Sequence, residues 1–211
     1  MYPLRDIDAG GLPSLESSTV ATYQIRTRRW TRAEYDKLIE IGMLHEDEPI
    51  ELIAGRMLIA EPKTPPHVTT LSLTAEALRV AFGSGWLVGE QSPVALDDES
   101  EPEPDVIVVP GGPRDYLHAH PARPVLIVEV ADSRPTFDRR YKGSIYARAG
   151  IADYWIVNLR KRALEVYREP VEDSTARFGW KYGKVRVLKA TASVSPLAAT
   201  TAQIAVADLL P

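Results

Sequence analysis

Hydrophobic positions recur along the chain with two different spacings, and these spacings separate predicted helices from predicted strands. A helical spacing places Tyr35, Leu38 and Ile39 on one buried face of a segment. Thr31 and Glu34 before it have the spacing of a capping box, in which each side chain binds the backbone amide of the other residue. Gly42 has the conformational freedom that ends helices. The first predicted helix therefore begins after Thr31 and ends before Gly42.

The remaining pattern predicts a mixed α/β fold. Residues 50–53 and 56–60 flank the turn-forming pair Ala54-Gly55 and predict a β-hairpin near the N-terminus. A second helix opens at Pro66 and ends before Gly83. Further strands are predicted at 86–88, 93–96, 106–109, 125–130, 153–159 and 163–168, with a third helix that Thr136 caps and that continues through Ala149. Residues 178–188 predict another antiparallel hairpin, and residues 204–210 a short terminal element. The last strands predict a C-terminal antiparallel extension of the sheet.

Two of the predicted strands combine apolar, β-branched runs with a carboxylate. Pro104-Asp105 opens the run Val106–Val109, and Glu129 interrupts the run Val125–Val130. An ionised carboxylate is costly to bury unless it is paired, protonated or bound to a metal. Because neighbouring strands lie about 5 Å apart, two such carboxylates can share one divalent cation. Oxygen ligands in a chain without cysteine favour Mg²⁺ or Mn²⁺ over zinc.

A lysine on the following helix completes the candidate site. Asp138 and Lys142 are four residues apart, so they lie on the same side of a helix. A lysine beside a bound cation and a phosphate can stabilise developing negative charge. Two alternatives stay open at this point: Glu129 as a structural acid paired with an arginine, and Lys142 as a solvent-facing surface residue.

Composition and charge limit the classes of protein that remain. The 211 residues, 45% of them hydrophobic and 26% charged, fit one domain over residues 26–211, preceded by a loose arm over residues 1–25. Without a membrane-length apolar run, a secretory leader or cysteine, the sequence predicts a cytoplasmic protein. Residues 1–105 carry 9 basic and 19 acidic side chains, whereas residues 106–211 carry 16 and 10. The basic half either faces a polyanion such as DNA or is a solvated surface of mixed charge.

Three stretches resemble one nuclease family. They read WTRAEYDKLIEIGMLHEDEPIELIAGRMLIAEP, PEPDVIVVP and VLIVEVADSRPTFDRRYKGSIYARAGIADYWIVNLRKRALEVYREP, and they cover most of residues 30–170. Their order and spacing are similar to the Uma-type restriction endonucleases, a branch of the PD-(D/E)XK nuclease superfamily. The resemblance implies a restriction-endonuclease-like α/β fold, with a mixed sheet flanked by helices. It also implies Mg- or Mn-dependent hydrolysis of DNA phosphodiesters by a homodimer.

The resemblance assigns roles to individual residues. Asp105 and Glu129 match the metal ligands, and Lys142 matches a catalytic lysine that this branch carries on the following helix. The usual signature places that lysine two residues after the acid, where this chain has Ala131. Asn158 stands where the family often has aspartate.

Three further residues are candidate accessory groups. Glu51 matches an acidic position of the family and an outer metal ligand, with an ion pair to Arg56 across the hairpin as the alternative. His67 matches a histidine of unassigned role. Asp138, in the first turn of the third helix, is the remaining accessory candidate.

Two other functions stay open. The missing lysine at position 131 favours a catalytically inactive protein that keeps the scaffold to bind nucleic acid or to regulate. Two carboxylates can also serve a hydrolase of another class, such as a glycosidase, in which one acid works protonated and no metal is needed. Sensitivity to a chelator separates this last class from a metal-dependent nuclease.

Overall fold

The computed structural model describes residues 27–45, 48–60, 62–133 and 135–211. The arm predicted over residues 1–25 lies outside these described residues. The strands are β1 (Ile50–Ile53), β2 (Arg56–Ile59), β3 (Trp86–Glu90), β4 (Val106–Pro110), β5 (Leu126–Ala131), β6 (Asp153–Asn158), β7 (Ala163–Glu172), β8 (Trp180–Lys189), β9 (Ser193–Val194) and β10 (Ile204–Ala205). The helices are α1 (Arg32–Glu40), α2 (Pro65–Phe82), α3 (Pro135–Phe137) and α4 (Gly143–Arg148), with a π-helical turn over Asp138–Lys142 between the last two.

A six-stranded mixed sheet forms the centre of the fold, in the order β3-β4-β5-β6-β7-β8. Only β5 and β6 pair in parallel among these strands, and the helical segment from α3 to α4 makes the connection between them. A crossover of this kind is needed because parallel strands cannot be joined by a tight turn. The predicted α/β class, with its N-terminal hairpin and C-terminal antiparallel strands, is confirmed.

Local sequence signals explain several element boundaries. Thr31 and Glu34 form the predicted capping box at the start of α1. Tyr35 is buried as predicted, whereas Ile39 is exposed. Ala54 and Gly55 both have positive φ, 48° and 72°, as a two-residue turn between β1 and β2 requires. Gly55 also lies close to Arg29, because a Cβ at Gly55 would come within 2.6 Å of the Arg29 Cβ.

Three predicted elements differ from the structure. Residues 178–188 form no hairpin of their own, because β8 is one continuous strand that pairs with β7. Residues 93–96 form no strand, because the Val94 and Ala95 amides donate to Pro102 and Pro121 in irregular geometry. The third helix begins at Pro135, so the predicted cap Thr136 lies inside it, and the π-helical turn interrupts it. The sequence pattern does not predict that turn, because the turn packs against Tyr154, which lies on a strand distant in the sequence.

The two faces of the central sheet pack against different elements. Leu126, Val128 and Val130 of β5 join the hydrophobic core formed with α2 and the C-terminal segment. Ile127 and Ala131 face the other way and join a second core that includes Tyr146 of α4. Alternation along the strand places Glu129 on this second face, as predicted. Within the described residues, no helix combines the length and the apolar composition that a bilayer crossing requires.

Candidate metal-binding and catalytic site

The strand register brings Asp105 next to Glu129. In the antiparallel pair of β4 and β5, Val106 lies opposite Val128, so one further step along the ladder sets Asp105 opposite Glu129. Asp105 Oδ2 accepts a hydrogen bond of 2.8 Å from the Val130 amide. The Asp105 side chain thereby replaces a backbone partner where the paired part of β4 ends, and its carboxylate is fixed beside β5.

Lys142 connects the hairpin and the sheet at this site. Its Nζ lies 3.0 Å from Glu129 Oε1 and 3.3 Å from Glu51 Oε1. Only 9% of the Lys142 side chain is exposed, so Lys142 is not a solvent-facing residue. The alternative pairing of Glu51 with Arg56 is wrong, because Glu51 makes its ion pair with Lys142, 91 positions away in the sequence.

The π-helical turn determines where Lys142 and Asp138 lie. The Gly143 amide donates to the Asp138 carbonyl, an i to i+5 bond, and Tyr154 Oη donates to the same carbonyl at 3.1 Å. Gly143 permits this packing, since a Cβ there would lie 3.2 Å from that carbonyl oxygen and 3.5 Å from the Tyr154 ring. Single π turns inside α-helices often occur at functional sites.

His67, near the start of α2, contacts the other carboxylate. Its Nε2 lies 3.2 Å from Asp105 Oδ2, and its side chain is only 13% exposed. Its Nδ1 is buried without a hydrogen-bond partner among the described residues. Thr64 caps α2 by accepting from the His67 amide, which fixes the backbone of His67 next to Asp105.

The ionisation of the site is unevenly distributed. Burial raises the pKa of Glu129 to about 8. The nearby charge of Lys142 lowers this pKa, but repulsion from Asp105, Asp138 and Glu51 adds to the effect of burial. Burial likewise raises the pKa of Asp138 to about 6, with added repulsion from Asp105 and Glu51. These shifts show that one ammonium does not balance the acids around it.

Asp105 and Lys142 stay charged in spite of their burial. Burial alone would raise the pKa of Asp105, but the hydrogen bonds from His67 and Val130 outweigh it and lower the pKa. Burial alone would lower the pKa of Lys142, but the charges of Glu129 and Glu51 raise it. Lys142 is therefore a lasting cation, suited to stabilising negative charge and unsuited to accepting a proton.

The donor set fits a hard divalent cation. Among the described residues, the hydrogen bonds and ion pairs to the two carboxylates fall on Asp105 Oδ2 and Glu129 Oε1. The second oxygens, Asp105 Oδ1 and Glu129 Oε2, are the ones that a further ligand would use. In the described part of the chain, no three histidine, cysteine or carboxylate side chains form a ready-made metal cage. Mg²⁺ is commonly held by one or two carboxylates, with water and substrate phosphates completing its shell.

Sequence reasoning missed Tyr146 as a member of this site. The fully buried Tyr146 donates from Oη to Glu129 Oε1 at 2.7 Å. Tyr146 lies four residues after Lys142, so a helical spacing from the lysine was the signal that pointed to it. This hydrogen bond fixes one Glu129 oxygen and so orients the other.

Comparisons with known proteins agree with the fold and the motifs. Residues 32–207 match the family model Uma2, described as "Putative restriction endonuclease". A similar fold is found in the crystal structure of a putative nuclease belonging to DUF820 from Anabaena variabilis ATCC 29413, with a TM-score of 0.61 and 16% sequence identity. The similarity covers 82% of this chain and 96% of that chain. No match appears among curated proteins.

Proposed function

The chain belongs to the Uma2 family of putative restriction endonucleases, and from this premise we propose that it is a divalent-metal-dependent endonuclease acting on DNA. The observation that carries the proposal is the convergence of Asp105, Glu129 and Lys142 in one buried, acid-rich site. Family membership supports a nuclease-like function, and the site chemistry supports the choice of metal. The homodimer and the cytoplasmic location stay predictions.

Each residue has a defined task in this proposal. Asp105 and Glu129 would hold Mg²⁺ or Mn²⁺, with the Val130 carbonyl as a further ligand. When bound, such a cation polarises the phosphodiester and activates water for in-line attack. The Lys142 ammonium stabilises the negative charge that develops on the phosphate oxygens.

The remaining polar residues position these groups. Glu51 and Tyr146 hold Lys142 and Glu129, respectively, from the hairpin and from α4. His67 holds Asp105 in the orientation that leaves its second oxygen available. Asp138 adds negative charge beside Lys142 and so strengthens the attraction of the site for a cation.

Plasmid cleavage in the presence of Mn²⁺ tests the proposal. Asp105→Asn and Glu129→Gln keep side-chain size but remove the charge, and each is expected to lower the cleavage rate on the order of a thousandfold. Glu169→Gln, an exposed change on β7, is the matched control and should cleave like the wild type. Cleavage that persists in Asp105→Asn contradicts the assignment, and cleavage that persists in a chelator favours a metal-free two-carboxylate hydrolase.

One observation favours a second function on the same scaffold. The Lys142 ammonium, at 3.0 Å from Glu129, already provides a positive charge that a metal would otherwise supply. A protein in which Lys142 takes the place of the metal beside Glu129 would bind nucleic acid without cutting it. DNA binding by a wild-type protein that shows no cleavage with Mg²⁺ or Mn²⁺ would establish this alternative.

A further inference from the structure

A pocket of about 470 Å³ lies between the helical segment 139–144 and the β7–β8 hairpin. Arg140, Tyr141 and Ser144 line its helical wall, and Arg177, Trp180 and Lys181 line the hairpin wall. Lys142 lies within the same helical segment but directs its side chain to Glu51 and Glu129 instead. The pocket is therefore separate from the carboxylate site, although one segment contributes to both.

The charge of the pocket favours an anionic ligand. Four cationic residues and no carboxylate are among the described residues that line it. Arg139 is bound to Glu165 and Lys181 to Asp173, so these two charges are already neutralised. Arg140 and Arg177 have no carboxylate partner among the described residues, and the Arg177 guanidinium lies 5.3 Å from the centre of the Tyr141 ring. Two guanidinium groups, one on each wall, thus remain available to phosphate oxygens.

The aromatic residues favour a ligand with a flat ring. Trp180 is half-buried and lines the pocket from the hairpin wall. Tyr141 is held in place by stacking on Phe137 with ring centres 5.0 Å apart. Aromatic rings beside a cationic groove are the usual means of binding single-stranded nucleic acid, because every base can stack.

From the cations and rings together, we propose that this pocket binds an unpaired nucleotide of a nucleic-acid substrate. The base stacks on Trp180, because Phe137 and Arg177 already cover the Tyr141 ring. Arg140 and Arg177 bind the adjoining phosphates. A paired base within a duplex cannot enter, because its faces are covered by neighbouring bases. The inference deepens the proposed function and rests on it, since it concerns which form of nucleic acid the enzyme holds.

The test is fluorescence anisotropy with a labelled oligothymidylate and with a duplex of equal length, in the presence of EDTA. Arg140→Ala combined with Arg177→Ala is expected to weaken single-strand binding on the order of tenfold or more and to leave duplex binding nearly unchanged. Each lost phosphate contact should also make the slope of log K against the logarithm of salt concentration less steep by about 0.7. Arg114→Ala with Arg123→Ala removes the same charge from exposed positions between β4 and β5 and should have little effect.

A second measurement does not depend on a variant that could lose binding simply by misfolding. Oligothymidylate should quench part of the tryptophan fluorescence of the wild type. Trp180→Phe should abolish that quenching, but it should still bind, because the phenylalanine ring can stack on a base. Equal losses in the two arginine double variants, or quenching that survives in Trp180→Phe, overturn the pocket assignment.

Chelated conditions keep this inference distinguishable from the nuclease proposal. Selective single-strand binding without any metal-dependent cleavage supports the pocket and contradicts the nuclease proposal. Cleavage that depends on Asp105, combined with single-strand binding that does not change when Arg140 and Arg177 are replaced, supports the nuclease proposal and contradicts the pocket.

Discussion

Two buried glutamates on the same sheet, Glu129 on β5 and Glu165 on β7, have opposite electrostatic surroundings. Each is 3% exposed. Burial alone would raise the pKa of Glu165, but hydrogen bonds from Arg139, Asn158 and Tyr167 outweigh it and lower the pKa to about 2. The pKa of Glu129 is instead raised to about 8 by burial and by the acids around it.

The difference lies in how many donors each carboxylate receives. Both Glu165 oxygens accept from Arg139, at 2.8 and 2.5 Å, and further donors complete the arrangement. Within the described part of the chain, the bonds to Glu129 fall on Oε1, and Lys142 is shared with Glu51. A carboxylate with a full set of donors stabilises the fold, whereas one with too few is suited to binding a cation. Arg139 and Lys142 lie three residues apart, yet Arg139 completes the stabilising cluster of Glu165 and Lys142 lies at the cation site of Glu129.

The comparison predicts its largest effect on stability at Glu165. Glu165→Gln removes the charge that Arg139 neutralises, and we expect a loss of up to about 3 kcal/mol in the free energy of unfolding near neutral pH, from the pKa difference between about 2 and the ordinary 4.5. Urea unfolding measures the change, with Glu169→Gln as the exposed control on the same strand. A loss no larger than that of the control would show that this ion pair is not stabilising.

The ion pair of Glu165 with Arg139 also predicts how the free energy of unfolding depends on pH. Because the pKa of Glu165 is lower in the folded state, its contribution is complete above the unfolded pKa of 4.5 and disappears as the pH falls towards about 2. The stability difference between wild type and Glu165→Gln should therefore shrink between those two values. A constant difference across this range would contradict the lowered pKa.

Adding a divalent cation should change the free energy of unfolding somewhat less, and it should act through the site that contains Glu129. Mn²⁺ at about a hundred times its Kd is expected to stabilise the wild type by about 2.7 kcal/mol, because binding to the folded state alone shifts the unfolding equilibrium. Thermal unfolding with increasing Mn²⁺ measures this shift. Asp105→Asn should abolish it, whereas Glu165→Gln should lower the starting stability and keep the full shift. If Asp105→Asn responds like the wild type, the cation binds elsewhere.

Much of the fold followed from local pattern, and the site followed only in part. The capping box of α1 and the Ala54-Gly55 turn depend on residues close in sequence, so a pattern was sufficient to predict them. The face of Glu129 followed from strand alternation. The contact of Lys142 with Glu51 could not follow, because it joins a hairpin and a helix that only tertiary packing brings together.

The role of Lys142 shows what the family resemblance added. Spacing alone left this residue as a choice between a site lysine and a surface lysine. The π-helical turn that directs it inwards depends on Tyr154 and Gly143, whose contribution no periodicity reveals. Arg139 was also invisible as the partner of Glu165, since 26 residues and one strand separate them.

The smallest predicted effect concerns Asn158, the position where the family often has aspartate. Asn158 Nδ2 donates to Glu165 Oε1 at 2.8 Å, and its Oδ1 accepts from the Lys161 amide at 3.0 Å. Asn158→Asp keeps the acceptor but exchanges the donor for a second negative charge beside Glu165. We expect a loss of about 1–2 kcal/mol, because one donor of several is lost and Arg139 still neutralises part of the added charge.

The measurement is urea unfolding of Asn158→Asp beside Gln203→Glu, an exposed change of amide to acid that should leave stability nearly unaltered. Manganese-dependent stabilisation should be retained in both variants, because Asn158 donates to Glu165 and does not belong to the cation site. A variant that keeps its stability but gains or loses affinity for Mn²⁺ would place Asn158 with Glu129 instead. The boundary between the two regions would then have to be moved from Arg139 and Glu165 towards the end of β6.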